Sequence, residues 1–229
     1  SEYYTNGYTF SCFRDPSLSI MLGVLHDLLG GCVNGDFSFV SKYPNTFDLR
    51  PNAHTYSSSF IYALVDAGVP ALLHECISPD MTLMHTQVRT SLPGPSYMDW
   101  HRDTYTHDGV TIGNVPPVHK VIFYPAFGSS PQPKLKVIVG SNRLQFTTAA
   151  LDTTLSTDAS RVVTYDSSDE RFTLFDTSTL HAAIPETTSA GSIRIIYSFM
   201  RRNQFMRTLA SEKLHAEQSV LYDAMVNHT

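Results

Sequence analysis

The sequence predicts a mainly β fold with flanking helices, a double-stranded barrel carrying helices on one outer face. Three observations point there. Helical periodicity is confined to the two ends of the 229-residue chain. The middle is a series of short runs rich in Val, Ile, Tyr, Phe and Thr, separated by Gly, Pro, Asn and Asp. Eight such runs in a little over a hundred residues are what a sandwich or barrel requires. The order helix, strands, helix argues for one α+β domain over 1–229. Its helical part covers about 1–80, its β core about 82–202 and its C-terminal helix about 205–227.

In chain order, Leu18, Met21, Leu22, Leu25, Leu28 and Leu29 fall on one helix face. Asp15-Pro16 opens that helix and Gly30-Gly31 closes it. Asn34 to Ser57 reads as loop, being rich in Asn, Ser, Pro and aromatics. A second apolar helix is expected over about Ser58 to Ala67, and a short one after Pro70. The strands expected next are Thr82–Ser91, Tyr97–Tyr105, Lys120–Phe127, Lys134–Val139, Arg161–Asp166, Arg171–Asp176, His181–Pro185 and Ser192–Met200. Helix returns from about Phe205 to Val226, with Met206, Leu209, Leu214, Leu221 and Met225 as a broken apolar stripe. That stripe is expected to pack on the barrel. A monomer or a homodimer is compatible with it.

Composition narrows the function class. At 42% hydrophobic and 16% charged residues the chain is globular in type. Its formal charge is −5 and it has no basic stripe, which disfavours a nucleic-acid partner. No apolar run approaches the roughly 20 residues of a membrane span, and Ser-Glu-Tyr-Tyr at the N-terminus does not read as a signal peptide. Cys12, Cys32 and Cys76 are odd in number and fit no C-x-x-C pattern. They read as three buried free thiols in a reducing compartment, hence a cytoplasmic location.

The chemistry starts with His101 and Asp103. On a strand, residues two apart point the same way, so both side chains can hold one metal ion while Arg102 faces elsewhere. The pair follows Pro93-Gly94-Pro95, where the β core begins. His181 follows a polar loop, Asp176 to Thr179, and opens a strand of its own. Two imidazoles and one carboxylate, with coordination positions left open, form the ligand set of non-haem Fe(II) that activates oxygen. Arg194 comes thirteen residues after His181. In Ser192 to Phe199, alternation puts Ile193, Ile195, Tyr197 and Phe199 on one face and Arg194, Ile196 and Ser198 on the other. A buried mid-strand Arg needs an anion. That anion is either an internal carboxylate or the carboxylate of a ligand, with Ser198 as a second donor.

His101-x-Asp103, His181 and Arg194 together resemble the Fe(II)/2-oxoglutarate-dependent oxygenases, with the phytanoyl-CoA dioxygenase-like group as the nearest branch. Trp100-His101-Arg102-Asp103 is similar to that group's W-H-x-D segment. Val139-Gly140-Ser141-Asn142-Arg143 is similar to its P-G-S-H-[KR] turn, with Val139 and Asn142 in place of the usual Pro and His. The resemblance covers roughly Met84 to Arg202, about half the chain. It implies a double-stranded β-helix (a jelly roll, cupin-like). It implies Fe(II) on His101, Asp103 and His181, and 2-oxoglutarate with its far carboxylate on Arg194. It also implies consumption of O2, decarboxylation of 2-oxoglutarate to succinate, and oxidation of a small-molecule substrate. Relatives that halogenate replace the carboxylate ligand with a small residue, so Asp103 points to hydroxylation.

Further candidates cluster around these residues. Related hydroxylases carry Gln-x-Lys upstream of the metal pair, and Gln87-x-Arg89 stands at a similar distance. The plainer alternative is a solvated strand face. Tyr124 can donate to 2-oxoglutarate or pack. Arg89, Lys120, Tyr105, His107 and Asp99 are expected to form a polar substrate mouth, with Arg89 and Lys120 suited to an anionic group. The competing function is a non-enzymatic cupin-like metal-binding protein, since the same ligands hold Zn²⁺ or Mn²⁺.

Overall fold

The computed structural model describes residues 2–14, 16–30, 38–50, 52–95, 99–103, 105–107, 110–112, 118–144, 146–189 and 191–207. The elements in chain order are α1 (Glu2–Asn6), β1 (Tyr8–Cys12), α2 (Ser17–Leu29), β2 (Ser38–Tyr43), β3 (Thr46–Arg50), α3 (Ser59–Asp66), α4 (Val69–Cys76), β4 (Met81–Ser91), β5 (Tyr105–His107), β6 (Val110–Ile112), β7 (His119–Phe123), β8 (Pro133–Ile138), β9 (Phe146–Thr148), α5 (Ala149–Thr157), β10 (Val162–Asp166), β11 (Arg171–Asp176), β12 (His181–Ala183) and β13 (Ser192–Arg201). A seven-stranded sheet has the order β1-β11-β7-β13-β4-β3-β2. A three-stranded sheet, β10-β8-β12, lies across from it, and β5-β6-β9 forms a third. Every strand pairing within them is antiparallel. This is the predicted jelly roll with flanking helices.

Strand alternation divides the molecule into two apolar layers. Val121 and Phe123 on β7, Phe172 and Leu174 on β11, and Ile195 and Tyr197 on β13 face outward. There they meet Met21, Leu25 and Leu28 of α2, Phe60 of α3 and Leu73 of α4. The helices therefore cover one outer face, as expected. The other faces of these strands point inward: Ile122, Phe175 and Ile196 pack on Leu135 and Val137 of β8 and Tyr165 of β10. A central sheet buried on both sides explains the near-continuous apolar runs of β7, β11 and β13. Arg194 lies on the inward side, within the barrel.

The helices follow their local signals. Leu18, Met21, Leu25 and Leu28 are the buried stripe of α2. Gly68 separates α3 from α4 at φ 74°, with nothing within 4 Å of the position a Cβ would take. Its role is conformational, since only glycine enters that region freely. Thr148 caps α5 by accepting from the Leu151 N–H at 3.3 Å.

Three expectations are corrected. First, the N-terminal part is not purely helical. β1 adds to the edge of the large sheet at β11, and the stretch read as loop contains the β2–β3 hairpin. β2 is an edge strand exposing Ser38, Val40, Ser41 and Lys42, so it lacks the apolar alternation that marks a half-buried strand. Second, residues 99–103 do not form a regular strand. His101 makes an isolated antiparallel bridge to His181, and the Asp103 N–H donates to the Thr177 carbonyl at 3.0 Å. Third, Cys12 is exposed, against the expectation of three buried thiols; Cys76 is buried, and Cys32 lies outside the described residues. Asp15, Gly31 and residues 208–229, hence most of the expected C-terminal helix, also lie outside them; residues 202–207 are helical. No helix among the described residues is long and apolar enough to cross a membrane.

Candidate metal centre

β12 brings His181 to the inner surface of the small sheet, opposite β13. The bridge sets His101 beside it: each backbone N–H donates to the other's carbonyl, at 2.9 and 2.8 Å. The imidazole rings come within 4.3 Å, centroid to centroid. Asp103 joins them, with Oδ1 at 3.9 Å from His101 Nε2. One ligand atom from each of His101, Asp103 and His181 lies within 4.8 Å of the others. A single ion between them would touch all three.

The two imidazoles are oriented alike. His101 Nδ1 lies 2.8 Å from the Asp99 carbonyl, and His181 Nδ1 lies 2.7 Å from the Thr179 carbonyl. A carbonyl only accepts, so each Nδ1 carries the proton and each Nε2 presents a lone pair. This outer-shell arrangement fixes ring orientation and tautomer in metal-binding histidines. Burial, reinforced by the neighbouring His101, pushes His181 down to about 4, so the ring is neutral at neutral pH. At Asp103, burial favours the neutral acid, but the Lys120 ammonium and the two histidines outweigh it. The net shift is downward, and the carboxylate is ionised. The donor set therefore suits a divalent cation.

These residues line a cavity of about 200 Å3 between the sheets, together with Arg89, Lys120, Tyr124 and Arg194. Arg194 is buried, and its Nη1 donates to the Tyr124 hydroxyl at 3.4 Å. The other expected participants separate. Arg89 holds the buried Asp48 of β3 through two nitrogens, Nη2 at 2.8 Å from Oδ2, so its charge is matched within the fold. Lys120 is ion-paired with Asp103 Oδ2 at 2.5 Å rather than facing substrate alone. Gln87 shares the face of Arg89 but hydrogen-bonds His85 and is not among the lining residues. Ser198 is fully buried beside Lys120 in register, and its hydroxyl has no hydrogen-bond partner among the described residues. Ser198 is not among the residues that line the cavity with Arg194. Asp99 is exposed and contributes its backbone carbonyl. Tyr105 and His107 are on β5, with their side chains outside the described residues. Trp100 packs against Ile138, Leu155 and Leu180, away from the cavity.

Lys42 and Tyr43 also line the cavity. They arrive from the β2–β3 hairpin, which local composition conceals. Asp48 was findable in principle, because the rule that a buried Arg needs an anion applies to Arg89 as it does to Arg194.

Beyond Arg194 and Tyr124, Lys134 Nζ meets Glu186 Oε2 at 2.7 Å. Glu186 also accepts from the Thr188 N–H at 2.8 Å and its hydroxyl at 2.6 Å. Burial works against ionisation of Glu186, but these donors pull it from 4.5 down to about 2. A carboxyl with a depressed folded-state pKa stabilises the fold above its ordinary value, and that stability is lost as pH falls through the depressed one. Wild type is therefore expected to lose stability between about pH 4.5 and pH 2 more steeply than Glu186→Gln. Urea unfolding midpoints across that window check this. Parallel profiles for the two proteins would show the pair to be energetically silent.

No protein-family model and no curated protein matches the sequence. Solved structures share the fold. The non-haem, α-ketoglutarate-dependent epimerase SnoN from nogalamycin biosynthesis superposes with a TM-score of 0.62 at 13% identity, covering 87% of this chain and 80% of its own. HygX from Streptomyces hygroscopicus, with nickel, 2-oxoglutarate and hygromycin B bound, gives 0.58 at 12% identity, covering 87% and 85%. The nickel complex of the non-haem monooxygenase ThoJ gives 0.57 at 15% identity, covering 87% and 76%. The chain thus shares its jelly-roll fold with these proteins.

Proposed function

We propose that this chain is an Fe(II)/2-oxoglutarate-dependent dioxygenase that hydroxylates a polar small molecule. The observation that carries the proposal is the convergence of His101 Nε2, His181 Nε2 and the Asp103 carboxylate in a cavity that also holds the buried Arg194. His101, Asp103 and His181 would hold Fe(II). Arg194 would take the far carboxylate of 2-oxoglutarate, its fork matching that group in two places. Bound iron with 2-oxoglutarate and O2 would supply an oxidant strong enough for an unactivated C–H bond, with succinate and CO2 as co-products.

The chain's own residues prepare this site. The Asp99 and Thr179 carbonyls hold the imidazoles in the liganding tautomer. Lys120 grips Asp103 Oδ2, leaving Oδ1 turned toward His101. Ile122, Phe175 and Ile196 wall the inner cavity with apolar surface, which limits water around the cations. Arg89, fixed by Asp48, and the exposed Lys42 give the mouth its polarity. Small molecules are bound by proteins that share the fold, hygromycin B by HygX being one. A cytoplasmic setting, with its thiols reduced, fits the exposed free Cys12.

The test is anaerobic addition of Fe(II) and 2-oxoglutarate, followed by air. A weak visible charge-transfer band, then succinate release, is the expected result. A protein that retains zinc and ignores 2-oxoglutarate would be the cupin-like binding protein instead. Once a substrate is found, product heavier by one oxygen supports hydroxylation. Product of unchanged mass would replace it with epimerisation, the reaction named for SnoN.

A further inference from the structure

Between the two candidate ligands His101 and Asp103 sits Arg102, whose side chain runs the opposite way. It is 1% exposed, although no strand ladder holds its segment. Its guanidinium reaches three separate pieces of chain. Nε and Nη2 grip the Asp152 carboxylate of α5, Nη2 at 3.0 Å from Oδ1. Nη1 donates to the Ser141 carbonyl at 2.7 Å and also to the Ser178 carbonyl. Ser178 belongs to the turn that delivers His181. Ser141 grips the same turn a second time, its Oγ accepting from the Leu180 N–H at 2.8 Å and donating to the Ile138 carbonyl at 2.7 Å. Gly140 makes this possible. It turns the chain at φ 72°, where a Cβ would stand 3.3 Å from the Thr5 carbonyl.

We propose that Arg102 is a positioning residue for the metal site: its guanidinium sets, from behind, the separation between the segment carrying His101 and Asp103 and the turn carrying His181. This rests on the metal-site reading above. The physical reason is the fixed fork. One planar cation with five donors satisfies a carboxylate and two carbonyls at once, a geometry an ammonium cannot copy. Three backbone bonds join the two segments, two in the His101–His181 bridge and one from the Asp103 N–H to the Thr177 carbonyl, and Arg102 adds a side-chain tie from the opposite direction. With Arg102 in place, 101–103 and 178–181 are tied on both sides of the ligand atoms. The Gly140-Ser141 turn, prominent in the sequence but outside the cavity, thereby acquires a task.

Cobalt(II) titration of metal-free protein, read by visible absorption, tests this without turnover. Arg102→Ala is expected to weaken Co(II) binding by about 10- to 100-fold, the range of outer-shell losses, and to alter the Co(II) band shape. Arg102→Lys should fall between, keeping the Asp152 pair and losing one carbonyl. Asp152→Asn, which leaves the two carbonyl bonds intact, should lose less than Arg102→Ala. Unfolding midpoints of the metal-free proteins report folding separately. If Arg102→Ala does not fold, the Lys and Asn variants decide. Folded variants with wild-type Co(II) affinity and spectrum overturn the proposal and make Arg102 a fold residue only. Wild type that binds no Co(II) overturns the metal-site reading, and this inference with it.

Discussion

His181→Ala is expected to lower divalent-metal affinity by more than about 100-fold and to reduce 2-oxoglutarate-dependent succinate formation to background. The loss exceeds the ~10–100-fold typical of outer-shell changes because a ligand atom itself is removed. Two ligands, His101 and Asp103, would remain on one short segment. The fold should survive the change. The bridge to His101 is made by backbone atoms, which alanine keeps, and the packing lost is the edge-to-face contact of the ring with Phe175, 5.2 Å between centroids. The lost side-chain bond to the Thr179 carbonyl is worth about 1 kcal/mol. Isothermal titration with Co(II), beside an unfolding curve of the metal-free variant, checks both halves. A variant that binds metal and turns over like wild type would remove His181 from the site.

Much of the fold could be read before any coordinates. The stripe of α2 and the apolar runs of β7, β11 and β13 are strong because burial is strong there: one helix face in the first case, two sheet faces in the second. β2 and β3 were invisible for the converse reason. An edge hairpin with polar outward residues carries little periodicity, yet it delivers Lys42, Tyr43 and Asp48 to the neighbourhood of the cavity. The candidate ligands were legible as residue types and spacing, though not for the reason first available. His101 and Asp103 come together through the bridge to His181 and the bond from the Asp103 N–H to the Thr177 carbonyl, and not because a regular strand runs through them. The partners of Arg89 and Lys120 are long-range, 41 and 17 residues away in sequence, and no local pattern announces them. Alternation turns Arg102 away from the ligand pair, and that direction takes it to Asp152 and to the Ser141 and Ser178 carbonyls.

Arg194→Met is expected to raise the KM for 2-oxoglutarate by tens- to thousands-fold while leaving Co(II) affinity near wild type. The side chain is 6% exposed and lines the same cavity as the candidate ligands without being one of them. Losing a buried charge partner costs about 2–5 kcal/mol in binding, which corresponds to tens- to thousands-fold in affinity. Methionine keeps the length and fills the space, so the variant removes the charge without opening a large hole. Arg194→Lys sharpens the test. It keeps the charge but not the fork, and an ammonium binds a carboxylate at one point, so its KM should lie between those of wild type and Met. kcat at saturating 2-oxoglutarate should move less than KM in both, because the far carboxylate is bound alike before and during reaction. The competing role is structural, with Arg194 balancing the interior through Tyr124 and its neighbours. That role predicts a different pair of results: a lowered unfolding midpoint in the Met variant, and an unchanged KM. Measuring both quantities on the same preparations separates a ligand-binding arginine from a structural one, because a change in stability leaves the 2-oxoglutarate concentration at half-saturation where it was.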